Sequence, residues 1–292
     1  MLVHNSNAVA HLPSISQGLS ERAWCMSPLA GDLSSHTKRA ILTTNNENIA
    51  GLAKGLAIIE VFSTDRRPLT ISAAAQATRI SRASARRCLH TLLNLGYVVQ
   101  VGSAFHPAPR LLRLGDAYFQ NASLPQLAQT HLENARDELC ESVSLAVLDN
   151  YEPVFVARAE AEKIVSSLAR LGRRLLGYCS ATGRVLLADL PDDELDNYLA
   201  GLEPTALTRH TVTDKAKLRQ IIIGVRENRV AITDEELEDG MAALAVPVFD
   251  RTGKTIAAMS VSASRARVSA AQMKSELLPV LRNYAEALSR NF

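Results

Sequence analysis

Hydrophobic residues recur at helical spacing in three short segments that follow residue 50. The apolar positions of the first segment are Leu52, Leu56, Ile59 and Phe62. Those of the second are Leu69, Ile71, Ala74 and Ala75, and those of the third are Ala85, Cys88, Leu89, Leu92 and Leu95. A period of 3.6 residues is typical of helices with one buried face. The pattern therefore predicts three short amphipathic helices.

Local signals place the ends of these helices. The first is predicted to end before Pro68, because a proline disfavours helical backbone in the preceding residue. Thr70 or Ser72 is available to cap the second helix and Ser81 to cap the third, since a side-chain oxygen accepts the free N–H groups of a first turn. Gly96 stands where helices commonly end.

After Gly96 the pattern changes to short strands around a turn. Residues 97–101 and 104–106 flank Gly102-Ser103 and are predicted to pair as a hairpin. Three helices followed by a hairpin predict a winged helix-turn-helix domain over residues 49–107. Apolar residues return at helical spacing between Leu111 and Phe119, which predicts a linker helix over residues 108–123.

Residues 124–292 alternate between helical and strand patterns and predict an α+β domain with a mostly antiparallel sheet. The predicted helices cover residues 126–139, 183–188, 192–202, 215–227 and 270–288. The predicted strands cover residues 143–148, 154–159, 164–168, 230–232, 243–249 and 256–262. Residues 1–48 show no sustained period, and we interpret them as a disordered arm.

Composition and charge narrow the class of protein. The 292 residues are 47% hydrophobic, enough for two globular domains. No apolar run is long enough to span a bilayer and no secretory signal opens the chain, so we expect a cytoplasmic protein without a membrane partner. Residues 51–122 hold nine basic and three acidic side chains, whereas the residues after them hold 20 and 24. Only the first module is therefore expected to meet a polyanion.

The third predicted helix begins with residue types suited to reading DNA. In a helix-turn-helix the second helix enters the major groove by its N-terminal end. Arginine contacts guanine and phosphate, and hydroxyl groups reach phosphates or base edges. We predict double-stranded DNA as partner, with contacts from Ser81, Arg82, Ser84, Arg86, Arg87 and Thr91. The alternative is a basic helix face in solvent, which the order of helix, turn, capped basic helix, glycine and hairpin disfavours.

Both predicted domains contain segments that resemble the IclR family of bacterial transcriptional regulators. In the first domain the matching segments are residues 54–58, 81–89, 91–93, 95–97 and 112–115. In the second they are residues 174–179, 183–188, 234–241, 245–250 and 257–262. The family usually has a glycine in the helix turn where this chain has Arg79.

The resemblance implies that the second domain is a GAF-like effector-binding domain. It implies by position the effector-binding residues Ala181, Thr182, Gly183, Asp234, Met241, Ala243, Ser260 and Ser262. Met241 and Ala243 also fit plain core positions, and the two serines also fit a role in bonding backbone neighbours. Independently, free N–H groups at the start of the helix near residue 181 would favour an anionic ligand.

Residues 174–188 and 234–249 are most similar to the branch of the family that controls protocatechuate, hydroxybenzoate and β-ketoadipate catabolism. This resemblance implies an activator whose effector is an aromatic acid or a metabolite of that pathway. Because operators are commonly pseudo-palindromic, we expect a homodimer or a dimer of dimers. For an activator, RNA polymerase is a further candidate partner.

Two other classes of protein stay open at the level of sequence. An enzyme could use Cys179 as nucleophile with His210 or His131 as base, although nothing in the sequence orients such a pair. An adaptor could keep the fold and lose DNA binding, which the intact arginines argue against. The four cysteines have no paired spacing, and no histidines pair up. We therefore predict no metal site, no cofactor and no catalytic residue.

Overall fold

The computed structural model describes residues 48–64, 68–162 and 170–292. The predicted arm, apart from Asn48, and the predicted strand at residues 164–168 lie outside the described residues. Within the described ranges, no helix has the length and apolar character needed to cross a membrane.

The first domain contains the three predicted helices and the hairpin. The helices are α1 (Ala50–Thr64), α2 (Ile71–Thr78) and α3 (Arg82–Asn94), and the hairpin strands are β2 (Val98–Val101) and β3 (Ala104–Pro107). A short strand that the sequence did not predict, β1 (Leu69–Thr70), pairs antiparallel with β3. The three strands lie in the order β1-β3-β2, and the core between helices and sheet includes Ile58, Leu89 and Phe105.

Side-chain caps define the helix-turn-helix. Thr70 Oγ1 accepts a hydrogen bond from Ala73 N at 3.2 Å, so Thr70 rather than Ser72 caps α2. Ser81 Oγ accepts from Ser84 N at 3.2 Å and caps α3, as predicted. Gly96 follows α3 with a φ of +75°, a left-handed conformation that glycine adopts without steric cost.

The rest of the described chain is an α+β domain, preceded by helix α4 (Leu112–Asn121). Its strands are β4 (Ser142–Asp149), β5 (Glu152–Ala159), β6 (Ala231–Asp234), β7 (Met241–Phe249) and β8 (Thr255–Ser264). Its helices are α5 (Ser123–Leu139), α6 (Ala181–Leu187), α7 (Asp192–Gly201), α8 (Lys215–Asn228), α9 (Ala270–Gln272) and α10 (Leu278–Ser289). The predicted single helix over residues 270–288 is interrupted by a π-helical turn, Met273–Leu277.

The five strands form one antiparallel sheet in the order β5-β4-β8-β7-β6. Helices α5 and α10 pack on one face through Leu132 and Leu281, where they cover Val143 and Met259. Helices α6, α7 and α8 pack on the other face, where Leu187, Leu195 and Ile222 are buried. The sheet is thus covered on both sides, and the second face contains the pocket described below.

Candidate DNA-binding face and effector pocket

Helix α3 presents a row of exposed arginines. Arg82, Arg86 and Arg87 are exposed, as are Ser81 and Thr91. The opposite side of the helix is buried by Ala85, Leu89 and Leu92. The three arginines form no ion pair with any residue that the structure describes. Their guanidinium groups are therefore free to meet a polyanion.

The hydroxyls of Ser84 and Thr91, which were also predicted to contact DNA, form hydrogen bonds within the first domain. Ser84 is buried, and its hydroxyl accepts a hydrogen bond from Ser81 Oγ at 3.0 Å. It stabilises the helix cap and is not exposed for a DNA contact. Thr91 is exposed, but its hydroxyl donates to the carbonyl oxygen of Arg87 at 2.9 Å.

The turn between α2 and α3 passes through Arg79, which ends α2 in the left-handed conformation with φ 54° and ψ 33°. This conformation explains why a glycine is usual at this point in the family, because a side chain is strained there. The Arg79 side chain is exposed, so the strained position adds a positive charge next to the start of α3.

A pocket lies between the sheet and the start of α6. It encloses about 550 Å³ of space between atoms, counted out to its opening to solvent. Its walls come from β5, α6, β6, β7, β8 and the loops beside them. The lining residues are Phe155, Leu175, Ser180, Ala181, Thr182, Thr233, Leu237, Glu238, Met241, Ala242, Ala243, Ser260 and Ser262.

Thr233, Ala243, Ser260 and Ser262 form the floor of the pocket, and similar small or hydroxyl-bearing side chains continue from them across the neighbouring strands. In one row Ser144, Ser260 and Ala245 are direct neighbours on β4, β8 and β7. In the next row the neighbours on β4, β8, β7 and β6 are Ser142, Ser262, Ala243 and Thr233. Directly opposed residues share a face of the sheet. The side chains of the floor are therefore polar but short, which leaves space above them in the pocket.

Six of the eight residues expected to bind an effector line this pocket: Ala181, Thr182, Met241, Ala243, Ser260 and Ser262. The other two have different surroundings. Gly183 packs against Gly177 so closely that an added Cβ would stand 2.4 Å from its backbone. Asp234 is half exposed and forms an ion pair with Arg265, with 2.6 Å between Oδ1 and Nε. Gly183 therefore serves helix packing, and Asp234 is held at the end of its strand.

Sequence analysis did not predict the lining residues Phe155, Thr233 and Leu237, nor the buried position of Glu236 in the acidic run of residues 234–239. Glu236 receives two hydrogen bonds of 2.6 Å from Arg184, one to each oxygen. Arg184 also donates from Nε to Tyr178 O at 2.8 Å. The pair joins α6 to the loop that supplies Leu237 and Glu238 to the pocket.

The surroundings of Cys179 oppose nucleophilic chemistry. Burial raises the pKa of its thiol to about 12, so the reactive thiolate is scarce at neutral pH. His131 lies on α5, which packs on the opposite face of the sheet, and His210 is exposed, where its Nε2 accepts from Arg209 Nε at 2.9 Å. Among the described residues no group of His, Cys, Asp or Glu is arranged to hold a metal ion.

A winged helix-turn-helix with an exposed arginine row, followed by an α+β domain with a partly enclosed pocket, defines a DNA-binding transcriptional regulator controlled by a small molecule. Comparison with known proteins gives the family. Residues 51–102 match the IclR helix-turn-helix domain. Residues 116–290 match the C-terminal domain of the bacterial transcriptional regulator IclR. The chain belongs to the IclR family.

Individual relatives are similar over most of the chain. It is 37% identical to the Pca regulon regulatory protein of Pseudomonas putida, over 82% of each chain. It is 35% identical to the p-hydroxybenzoate hydroxylase transcriptional activator of Acinetobacter baylyi, over 87% of this chain and 94% of the relative. A solved structure, a double mutant of the PobR inducer-binding domain from Acinetobacter with 3-hydroxybenzoic acid, is 31% identical. It has a TM-score of 0.55 and is matched over 59% of this chain and 100% of that one.

Proposed function

We propose that this chain is a transcriptional activator whose action on DNA is controlled by an aromatic acid or a β-ketoadipate-pathway metabolite. In this proposal residues 49–107 bind the operator, residues 108–123 form the linker, and residues 124–292 bind the effector. The observation that carries the proposal is the row of exposed arginines at the start of a capped recognition helix, which pair with no acidic side chain in the described ranges. Such a row has no evident structural use in the folded domain.

The operator contacts we propose are Ser81, Arg82, Arg86, Arg87 and Thr91. The first turns of α3 carry the first four, which agrees with entry of a recognition helix by its N-terminal end. Arg86 and Arg87 supply either bidentate contacts to guanine or phosphate contacts. Thr91 lies one turn further on and would contact the backbone of the DNA.

The effector site we propose is the pocket at the start of α6. Aromatic contact would come from Phe155 and hydroxyl contacts from Thr182, Ser260 and Ser262. The aromatic-acid class rests on the relatives, of which one is an activator of p-hydroxybenzoate hydroxylase and another binds 3-hydroxybenzoic acid.

We further propose that the chain works as a homodimer or a dimer of dimers in the cytoplasm, where the DNA is, and that it contacts RNA polymerase as an activator. Exposed apolar residues on α1 and α4 support dimerisation. Ile49, Leu52 and Leu56 are exposed at helical spacing, and Leu112 and Tyr118 are exposed on α4. Exposed apolar faces of this kind commonly mark interaction surfaces.

No enzymatic role is proposed, because Cys179 is buried with a raised pKa and the relatives are regulators.

Operator binding tests the proposal directly. Fluorescence anisotropy with the intergenic DNA upstream of the gene should give tight binding that weakens steeply with salt. The double variant Arg86→Ala with Arg87→Ala should lose most of the affinity and lower the salt slope by about two. The double variant Arg251→Ala with Arg290→Ala removes the same charge from exposed positions of the second domain and is the matched control.

The two outcomes are distinct. If the α3 variant binds like the control, the assignment of the recognition helix is wrong. If the wild-type chain binds this DNA no better than random DNA, with and without 4-hydroxybenzoate or protocatechuate, the regulator proposal fails for this operator and its effector.

A further inference from the structure

The pocket described above poses an electrostatic problem for an acid. Among its lining residues the single charged side chain is Glu238. An aromatic carboxylate entering this pocket would lose hydration and would meet a like charge. A nearby positive charge would offset both costs.

Arg158 is placed to supply that charge. It lies on β5 directly opposite Ser144 of β4, and Ser144 is in turn directly opposite Ser260 of β8, which lines the pocket. Directly opposed residues have Cβ atoms about 5 Å apart. A register shift between Leu145 and Ala146 of β4 places Phe155 opposite Ala146, on the same face as Arg158, and Phe155 lines the pocket. Arg158 therefore lies in the same cross-strand row as Ser260, two strands away from it.

The guanidinium of Arg158 is buried and only partly used. Its side chain is 9% exposed, Nη1 donates to Ser144 Oγ at 2.7 Å, and Nε donates to Glu160 at 3.0 Å. Its Nη2 donates to no residue that the structure describes. Glu160 itself is 70% exposed, so solvent screens its hold on the arginine.

We propose that Arg158 recognises the carboxylate of the effector and restricts the pocket to organic acids. The inference rests on the proposed function, since it assumes that this pocket binds the effector. The carboxylate would accept from the Ser260 hydroxyl and from the free Nη2, while Ser144 fixes the plane of the guanidinium. A charged donor pair of this kind favours an acid over a neutral ligand of equal shape.

The test compares an acid with its neutral analogue. Isothermal titration calorimetry on the full-length protein would measure Kd for 4-hydroxybenzoate, 3-hydroxybenzoate and protocatechuate, and for 4-hydroxybenzamide. Arg158→Gln should weaken binding of the acids by tenfold or more and of the amide by less than threefold. Arg265→Gln removes a cation that is paired with Asp234 at the end of β6, and this control should change Kd for acid and amide by the same small factor.

A second variant covers the case in which Arg158→Gln does not fold. Glu160→Gln changes an exposed side chain and releases Nε of Arg158, so it should tighten acid binding by twofold or more without changing amide binding. Circular dichroism melts of both variants check the fold.

The outcomes separate this inference from the proposed function. Equal losses for acid and amide in Arg158→Gln, together with no gain in Glu160→Gln, would show a packing role and overturn the inference while leaving the effector class intact. A wild-type protein that binds none of the acids would overturn both.

Discussion

Replacing Glu236 by leucine should destabilise the effector-binding domain by about 3–5 kcal/mol, because the change leaves a buried guanidinium without its counter-ion. Arg184 is 2% exposed and Glu236 is 8% exposed. Two charge-assisted hydrogen bonds of 2.6 Å join them, and each such bond contributes about 1.5–3 kcal/mol. Within the described part of the chain, the hydrogen bond left to Arg184 is the one to the Tyr178 carbonyl, which does not neutralise the charge.

Urea unfolding followed by far-ultraviolet circular dichroism would measure the free-energy change. The set comprises wild type, Glu236→Leu, Arg184→Met and the double variant. Each single variant should lose several kcal/mol, whereas the double variant should recover most of the loss, since apolar side chains of similar volume often replace a buried ion pair at little cost. Glu227→Leu, at an exposed position of α8, is the control and should change stability by less than about 0.5 kcal/mol.

This reasoning would be refuted by a loss below about 1 kcal/mol in Glu236→Leu, or by a double variant less stable than either single one. The first result would mean that water or a shifted loop solvates Arg184. The second would mean that the pair contributes more than an apolar contact can replace.

Three further changes have expected outcomes. Gly183→Ala should prevent correct packing of α6, because the added Cβ would stand 2.4 Å from the backbone of Gly177. Gly224→Ala on α8 is the control: its Cβ meets nothing within 4 Å, and the higher helix propensity of alanine should raise the free energy of unfolding by about 1 kcal/mol. Thermal melts compare the two variants. Arg79→Gly should stabilise the first domain by about 1 kcal/mol in urea unfolding by relieving the left-handed strain, and an unchanged or lower stability would contradict this. Burial raises the pKa of Cys179 from 9.0 to about 12, so the stability that its neutral thiol contributes is fully present below pH 9 and should be lost as pH rises from 9 towards 12. A thiol reagent at pH 8 should label exposed Cys140 before Cys179, and fast labelling of Cys179 in the native protein would contradict its burial.

Local signals made the first domain predictable from sequence. The helices α1 to α3, the Ser81 cap and the hairpin each depend on residues within a few positions of one another, and all were predicted. Strand β1 was missed, because two residues carry no alternation. It forms because Leu69 and Thr70 pair with Phe105 and Ala104 of β3.

The pocket was predictable only through family resemblance, and only in part. Thr233 and Ser262 are 29 positions apart and meet through Ala243, which pairs with both. The pairing of Arg184 with Glu236 likewise spans 52 residues. Strand register and burial determine which of these residues come into contact, and the spacing of residues in the sequence indicates neither. The buried position of Glu236 within an acidic run is one such result that the sequence did not indicate.

The sheet itself suggests how occupancy of the pocket reaches the first domain. Side chains alternate along β4, so Ser142 and Ser144 lie on the pocket side while Val143 and Leu145 pack into the core beneath α5. Helix α5 follows α4 and contacts it, and α4 leaves the winged helix-turn-helix. A ligand can switch the protein only by favouring one arrangement over another. Because β4 is buried on both faces, a displacement of Ser142 or Ser144 would also displace Val143 and Leu145 beneath α5. If the coupling runs along this route, we expect variants at the contact between α4 and α5 to change effector affinity and DNA affinity together.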